Sequence, residues 1–355
     1  MKTPEVSWIV LYLFSGIYLA QASWWYLGII GSVRPTMREI VTSENKETNC
    51  ANMNFLSEDQ RKLCGKERRL PKVISDGASL GIQECKHQFA NRRWNCSTYN
   101  STDVFGGILK KKIREKAYIY AISSAGIMYS ITRSCAKGEL DNCGCDMKVR
   151  RKDTQGQFEW GGCSENTKYG AKFSRKFVDT KESTTKTATS LMNLWNNEAG
   201  RKAVKMKMDL VCKCHGVSGS CSIKICWQKM KDFRSIGAYL KDKFDGASLV
   251  QYIIQKNKLK RIRKNMKKPT KKDLVYLEES PDFCENNPEA GSLGTKGRQC
   301  VKDGYGLDGC NLMCCGRGYH TTVEDIREDC DCKFVWCCRV DCKTCTRKEE
   351  KHFCN

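Results

Sequence analysis

After residue 22, no segment stays apolar for the roughly 20 residues that a helical membrane span needs. The best is Ala117–Ile131, which is uncharged but short and reads as a core helix. A helical polytopic membrane protein is therefore excluded. No fixed-period repeat runs through the chain, which excludes a solenoid or propeller. Acidic residues are in deficit, 40 Asp+Glu against 62 Lys+Arg, for a formal net charge of +22. Such an excess points to anionic surroundings and is silent about fold. Wholesale disorder is excluded by the 40% hydrophobic content. A length of 355 residues suggests two domains.

What the chain has in abundance is cysteine, 24 residues of it. So many free thiols would be an oxidation liability in a reducing compartment, whereas an even count in a secreted chain reads as a disulfide framework. Residues 1–22 agree, reading as a signal peptide. Lys2 precedes an apolar run from Trp8 to Ala20, and Ala20-Gln21-Ala22 supplies the small-x-small cleavage pattern. Two sequons, Asn95-Cys96-Ser97 and Asn100-Ser101-Thr102, are candidate N-glycan sites, which makes Asn95 and Asn100 exposed in this reading.

The first part of the mature chain reads as helical. Ile74, Ala78, Ile82, Cys85 and Phe89 recur at helical spacing, with Pro71 suited to the helix start. Leu109, Ile113, Ala117, Ala121, Ala125 and Met128 form a second stripe, apolar on further faces near its middle as befits a central helix. Ala188, Met192, Trp195, Ala199 and Ala203 give a third, and Phe233, Ile236, Leu240 and Phe244 a shorter fourth. Half of the cysteines lie from Cys50 to Cys226 and half from Cys284 to Cys354, with none between. The gap holds the acid-free run Lys256–Lys272, whose ten basic residues and Pro269 read as an exposed linker. The expected organisation is a signal peptide (1–22), an N-terminal helical domain (23–255), a basic linker (256–283) and a small disulfide-stapled domain (284–355).

Two cysteine clusters read as hairpins, because antiparallel partners have position numbers that sum to a constant. Nesting Cys330 with Cys345, Cys332 with Cys342 and Cys337 with Cys338 gives nearly equal sums. This predicts one long hairpin with a one-residue irregularity and a bond between adjacent cysteines at its tip. Phe334, Val335, Trp336 and Val340 flank that tip. Either they face a partner pocket or they pack onto the rest of the domain, since a two-stranded finger cannot bury them alone. The second hairpin nests Cys212 with Cys226 and Cys214 with Cys221. Its six-residue loop, His215 to Ser220, has Val217 and Ser218 at its midpoint between Gly216 and Gly219. Ser218 is thus presented at the apex, open to a modifying enzyme, unless the loop is an ordinary Gly/Ser turn. Gly216–Ser220 nearly matches the G-x-S-x-G nucleophile elbow, but the fifth residue is Ser and no βαβ pattern surrounds it. A zinc site on Cys212, Cys214, His215 and Cys221 departs from the usual finger spacing, and an oxidising lumen favours disulfides.

The segment CKCHGVSGSC, Cys212 to Cys221, followed by Cys226-Trp227, resembles the signature of the Wnt family of secreted growth factors. The similarity extends through QECKHQFANRRWNC (Gln83–Cys96), AISSAG (Ala121–Gly126), WGGCSEN (Trp160–Asn166), NNEAGRKAV (Asn196–Val204), CCGRGY (Cys314–Tyr319) and the closing CDC…WCC…C run. The resemblance implies an α+β, two-domain fold: a mostly helical N-terminal domain bearing the hairpin 212–226 as a thumb, and a cysteine-knot-like β domain forming an index finger. It implies that Ser218 carries a monounsaturated fatty acyl chain added by the acyltransferase Porcupine, and that the carrier Wntless escorts the product outward. It further implies that Val217, Ser218 and Gly219 on the thumb, and Phe334, Trp336, Cys337, Cys338 and Val340 on the finger, meet the cysteine-rich domain of Frizzled. A low-density-lipoprotein-receptor-related or other co-receptor takes a second surface. No cofactor, metal, catalytic residue or nucleic acid belongs to this picture. The basic excess would attract heparan sulfate or anionic lipid.

The resemblance also implies the pairs Cys85–Cys96, Cys135–Cys143, Cys145–Cys163, Cys212–Cys226 and Cys214–Cys221. In the last domain it implies Cys284–Cys315, Cys300–Cys310, Cys314–Cys354, Cys330–Cys345, Cys332–Cys342 and Cys337–Cys338. Cys50 and Cys64 then pair by parity. Ile225 and Trp195 depart from the family's usual Thr and His, both outside the acylation loop. The competing readings are a lipid-free, glycan-binding matrix decoy and a secreted hydrolase.

Overall fold

The computed structural model describes residues 23–29, 50–99 and 103–355, so residues 1–22 and the sequon asparagine Asn100 lie outside the described residues. Its main helices are α1 (Glu58–Cys64), α2 (Leu70–Phe89), α3 (Arg114–Ala136), α4 (Thr167–Val178), α5 (Ala188–Met206) and α6 (Phe233–Asp245). The four apolar stripes correspond to α2, α3, α5 and α6. Leu109 falls on a separate 3₁₀ turn, and Ile113 is the residue that opens α3.

Helix α3 is the axis, with Ala117 through Met128 buried except for Tyr120, and α2, α4, α5 and α6 packed around it. It lies close to α2 because Gly126 faces Gly77. A Cβ on Gly77 would stand 2.9 Å from the Gly126 carbonyl oxygen, so only glycine allows this approach. The helix starts are set locally. Ser57 and Gln60 form a capping box on α1, Thr187 and Ser190 do so on α5, and Asp232 accepts from Ser235 N on α6. Phe89 packs edge-on against Trp94, Tyr118 and Phe244, tying α2, α3 and α6 into one aromatic cluster. The Trp24–Gly28 turn, just after the expected cleavage point, also enters this core, burying Trp24, Trp25 and Leu27. Among the described residues, no helix is long and apolar enough to cross a membrane.

Sheet structure is peripheral. Strand β1 (Glu159–Trp160) pairs in parallel with β3 (Ile223–Met230), which pairs antiparallel with β2 (Met208–His215). Strand β4 (Ser248–Ile253) lies between β5 (Lys258–Arg261) and β6 (Val275–Tyr276). The basic run expected as a linker therefore differs: its first residues form β5, with Leu259 turned onto the small cluster of Met192, Val250 and Val275. The alternation of Leu259 with charged neighbours was the local signal, masked by the density of charge. Beyond β5 the run is pinned by Asp273, whose buried carboxylate meets Lys243 at 3.1 Å and Lys267 at 3.2 Å. Burial opposes that ionisation, but hydrogen bonds from Thr270 N and Oγ1, together with the two ammonium groups, hold the carboxyl well below its ordinary range.

The C-terminal part is α+β in miniature. Short strands β7 (Asn286–Asn287) and β8 (Ser292–Leu293) pair, and β9 (Gln299–Cys300) adds to the base of a long hairpin, β10 (Tyr319–Val335) and β11 (Arg339–Cys354). Its core is largely sulfur: Cys300, Cys310, Met313, Cys314 and Cys354, with Tyr319 against them. So small an apolar centre depends on covalent links for stability.

Candidate functional site

The thumb is an antiparallel ribbon in which Cys212 stands opposite Cys226 and bonds to it. Beyond it Cys214 bonds Cys221, closing the loop. Gly216 is extended, and Ser220 N donates to Val217 O at 3.1 Å. Ser218 then takes φ 58° and ψ 31°, the left-handed region that non-glycine residues rarely occupy. Its side chain is exposed, and Val217 beside it is 88% exposed. A Cβ on Gly216 would collide with the carbonyl and hydroxyl oxygens of Ser220 and stand 2.8 Å from Ser222 Oγ. Gly216 is therefore what lets the loop fold back on itself.

The base of the ribbon is buttressed by β1, whose Trp160 is opposite Cys226. Gly161 N donates to Cys226 O at 3.0 Å, and the Cys145–Cys163 link ties this segment down. Met230 N donates to the buried Glu165 carboxylate, which also pairs with Arg133 of α3. Sequence reasoning missed this buttress. A two-residue strand has no periodicity, and the WGGC segment names no partner. Ile225 lies directly over Gly161, so the departure at this position fills the strand-to-strand gap rather than the loop. Trp195, the other departure, donates from Nε1 to Asp273 O at 3.0 Å and carries Lys271 over its ring at 3.8 Å. It anchors the basic run to α5.

The loop stands at the end of a two-stranded ribbon, not at a strand-to-helix elbow. Cys212, Cys214 and Cys221 are all in disulfides and hold no thiolate for zinc.

The finger's pairing shifts register between Cys330 and Lys333, the one-residue irregularity that the cysteine positions implied, with Asp331 at φ 46°. Cys330 lies opposite Lys343 but bonds diagonally to Cys345, and Cys332 bonds Cys342. The tip differs from expectation. Cys337 and Cys338 are free thiols with their sulfurs 3.5 Å apart. That separation is well beyond the roughly 2.05 Å of a disulfide bond, so the pair is in contact but unlinked. Both residues have positive φ, 67° and 92°, which forms the turn. Phe334 and Val340 are opposite each other and exposed, and Trp336 is 89% exposed. The side chains flanking the tip are thus not folded back onto the domain. Acid on β10 meets base on β11, as in Lys351–Glu324 at 2.5 Å and Lys343–Asp331 at 3.2 Å, and these charges deter edge pairing with other chains.

The remaining bonds are Cys50–Cys64, Cys85–Cys96, Cys135–Cys143, Cys284–Cys315, Cys300–Cys310 and Cys314–Cys354. Three sulfurs that crowd together, Cys300, Cys314 and Cys354, are consumed by these links and offer no metal site. Asn95 is half-buried, and its Oδ1 accepts from Ser97 Oγ within its own sequon.

The model of the wnt family matches residues 52–355. Protein Wnt-5b of Xenopus laevis is 47% identical over 339 residues, 94% of this chain and 93% of that protein. Protein Wnt-5a of Homo sapiens is 42% identical over 356 residues, 98% of this chain and 93% of that protein. Among solved structures, WNT8A in its complex with human WLS is 39% identical with a TM-score of 0.59, covering 82% of this chain and 95% of that one. The chain therefore belongs to the Wnt family of secreted signalling ligands.

Proposed function

We propose that this protein is an acylated ligand for Frizzled, with the fatty chain on Ser218 and a second grip at the finger tip. One observation carries the reading: a braced ribbon presents the exposed Ser218 hydroxyl at its apex, away from the core. A chain attached there is held out for a partner groove. Each buried methylene contributes about 0.8 kcal/mol, so a long monounsaturated chain offers up to about 10 kcal/mol before ordering and association costs. Lipid burial supplies most of the affinity. The finger tip, with Phe334, Trp336 and Val340 in the open, supplies selectivity, and Cys337 and Cys338 shape its turn. Val217 and Gly219 flank the acyl chain in the same contact.

The same reading assigns acylation to Porcupine, and export to Wntless, the kind of carrier held by WNT8A in its complex with WLS. The co-receptor meets another face, heparan sulfate meets the basic surface, and N-glycans occupy Asn95 and Asn100. One acyl chain alone gives marginal membrane binding, so the basic excess adds to retention at the cell surface.

The test is mass spectrometry of the reduced peptide spanning Cys212–Cys226 from the secreted protein. A fatty acyl mass on Ser218 supports the reading. An unmodified Ser218, from cells that acylate a control Wnt, overturns it and leaves a lipid-free glycan-binding protein.

A further inference from the structure

A cavity of about 280 Å³ lies where the helical part meets the C-terminal part, far from any role given to thumb or finger above. Its walls are aromatic, with Phe89 and Phe244 from the helices, Trp94 from the bend after α2 and Phe283 from the C-terminal side. Three arginines line it, Arg92, Arg93 and Arg114. Arg93 bonds backbone carbonyls, those of Leu312 at 2.6 Å and Asp282 at 3.4 Å, and forms no ion pair among the described residues. Arg114 stacks between rings, its guanidinium carbon 5.4 Å from the Phe244 centroid and 5.8 Å from that of Tyr276. Its Nε is buried with no hydrogen-bond partner. Arg114 thus lines the cavity without an ion pair among the described residues, which leaves its positive charge for an anion bound there.

The two carboxyls on its lining have partners of their own, and Asp282 Oδ1 accepts from Cys284 N at 3.0 Å. Glu115 is buried and accepts from Ser280 Oγ at 2.6 Å. Burial pushes its pKa up, against the lowering effects of the Ser280 hydrogen bond and of Arg114. Arg92 is already paired with Asp245 at 3.2 Å. The volume is near the lower end of ligand pockets, and junctions between domains are where such pockets occur.

We propose that this cavity is a binding site for a small aromatic carboxylate, its ring between Phe89, Trp94 and Phe283 and its carboxylate on Arg114 and Arg93. Aromatic walls reward the ring, and the planar guanidinium fork rewards the carboxylate. Because the site joins the two parts of the chain, occupancy stabilises their junction.

The probe is indole-3-acetate, compared with its neutral isostere indole-3-acetamide, by saturation-transfer NMR on the full secreted chain. The acid should receive transfer and bind about fivefold or more tighter than the amide, the margin expected of a charge-assisted hydrogen bond. Arg114→Gln, with unchanged circular dichroism, should abolish the preference. Leu307→Trp, placed at the half-exposed rim, should block both probes, and it keeps the test alive if Arg114→Gln does not fold. Trp336→Ala at the distant finger tip should change neither. No transfer to the acid, equal binding of acid and amide, or a preference that survives Arg114→Gln would each overturn the site.

Discussion

Gly216→Ala is the most direct probe of the thumb. The added methyl would enter the space of the Ser220 carbonyl oxygen and hydroxyl, 2.8 Å from Ser222 Oγ. A hydroxyl can rotate away, but the Ser220 carbonyl cannot, because Cys221 beside it is bonded to Cys214. Overpacking of this kind costs about 1–3 kcal/mol. The loop is exposed and outside the core, so that strain opens the loop rather than unfolding the protein. If only the folded-back loop presents Ser218 productively, its population falls roughly 5- to 150-fold. The assay is the acylated fraction of the Cys212–Cys226 peptide from cells, alongside circular dichroism of the purified chain. Adding Ser220→Ala should not restore acylation, because the backbone oxygen stays in place. Full acylation of Gly216→Ala would refute the argument that this close approach holds Ser218 at its apex. Full rescue by Ser220→Ala would show that only the hydroxyl mattered.

Three further expectations follow from the same geometry. Trp336→Ala should leave acylation intact but weaken binding to a Frizzled cysteine-rich domain about 30-fold or more, as loss of an exposed aromatic anchor implies; unchanged affinity in biolayer interferometry removes the finger tip from the interface. Replacing Lys258, Lys260, Arg263, Lys264 and Lys268 by Ala, all exposed and free of the Asp273 ion pairs, should lower the salt needed to elute from heparin; unaltered elution places the glycan surface elsewhere. Asp273→Asn should cost about 2 kcal/mol at pH 7 by urea denaturation. The depressed carboxyl contributes stability above the ordinary aspartate pKa of about 4, lost as pH falls through its lower folded value, so the variant should be less acid-sensitive than wild type.

Much of the site could be read from the chain because its determinants are local. Cysteine spacing implies two ribbons, their nesting and the bulge, since antiparallel pairing converts sequence position into geometry. Helical stripes locate α2, α3, α5 and α6, since burial repeats every three to four residues. Ser218 at an apex follows from glycines and disulfides within the fifteen-residue stretch Cys212–Cys226. Four features were decided by the tertiary structure alone. Strand β1 reaches the thumb from residues more than 60 positions away, and nothing within two residues encodes that contact. Part of the basic run becomes strand β5 because Leu259 finds Met192, Val250 and Val275, and Asp273 holds Lys267 further along. Cys337 and Cys338 meet at the turn between β10 and β11 with their sulfurs in contact but unlinked. The aromatic, arginine-lined cavity exists only where segments around residues 90, 114, 244 and 283 converge. Local patterns record a side chain's preference for burial or turning, whereas a cavity or a buttress depends on which distant surfaces meet.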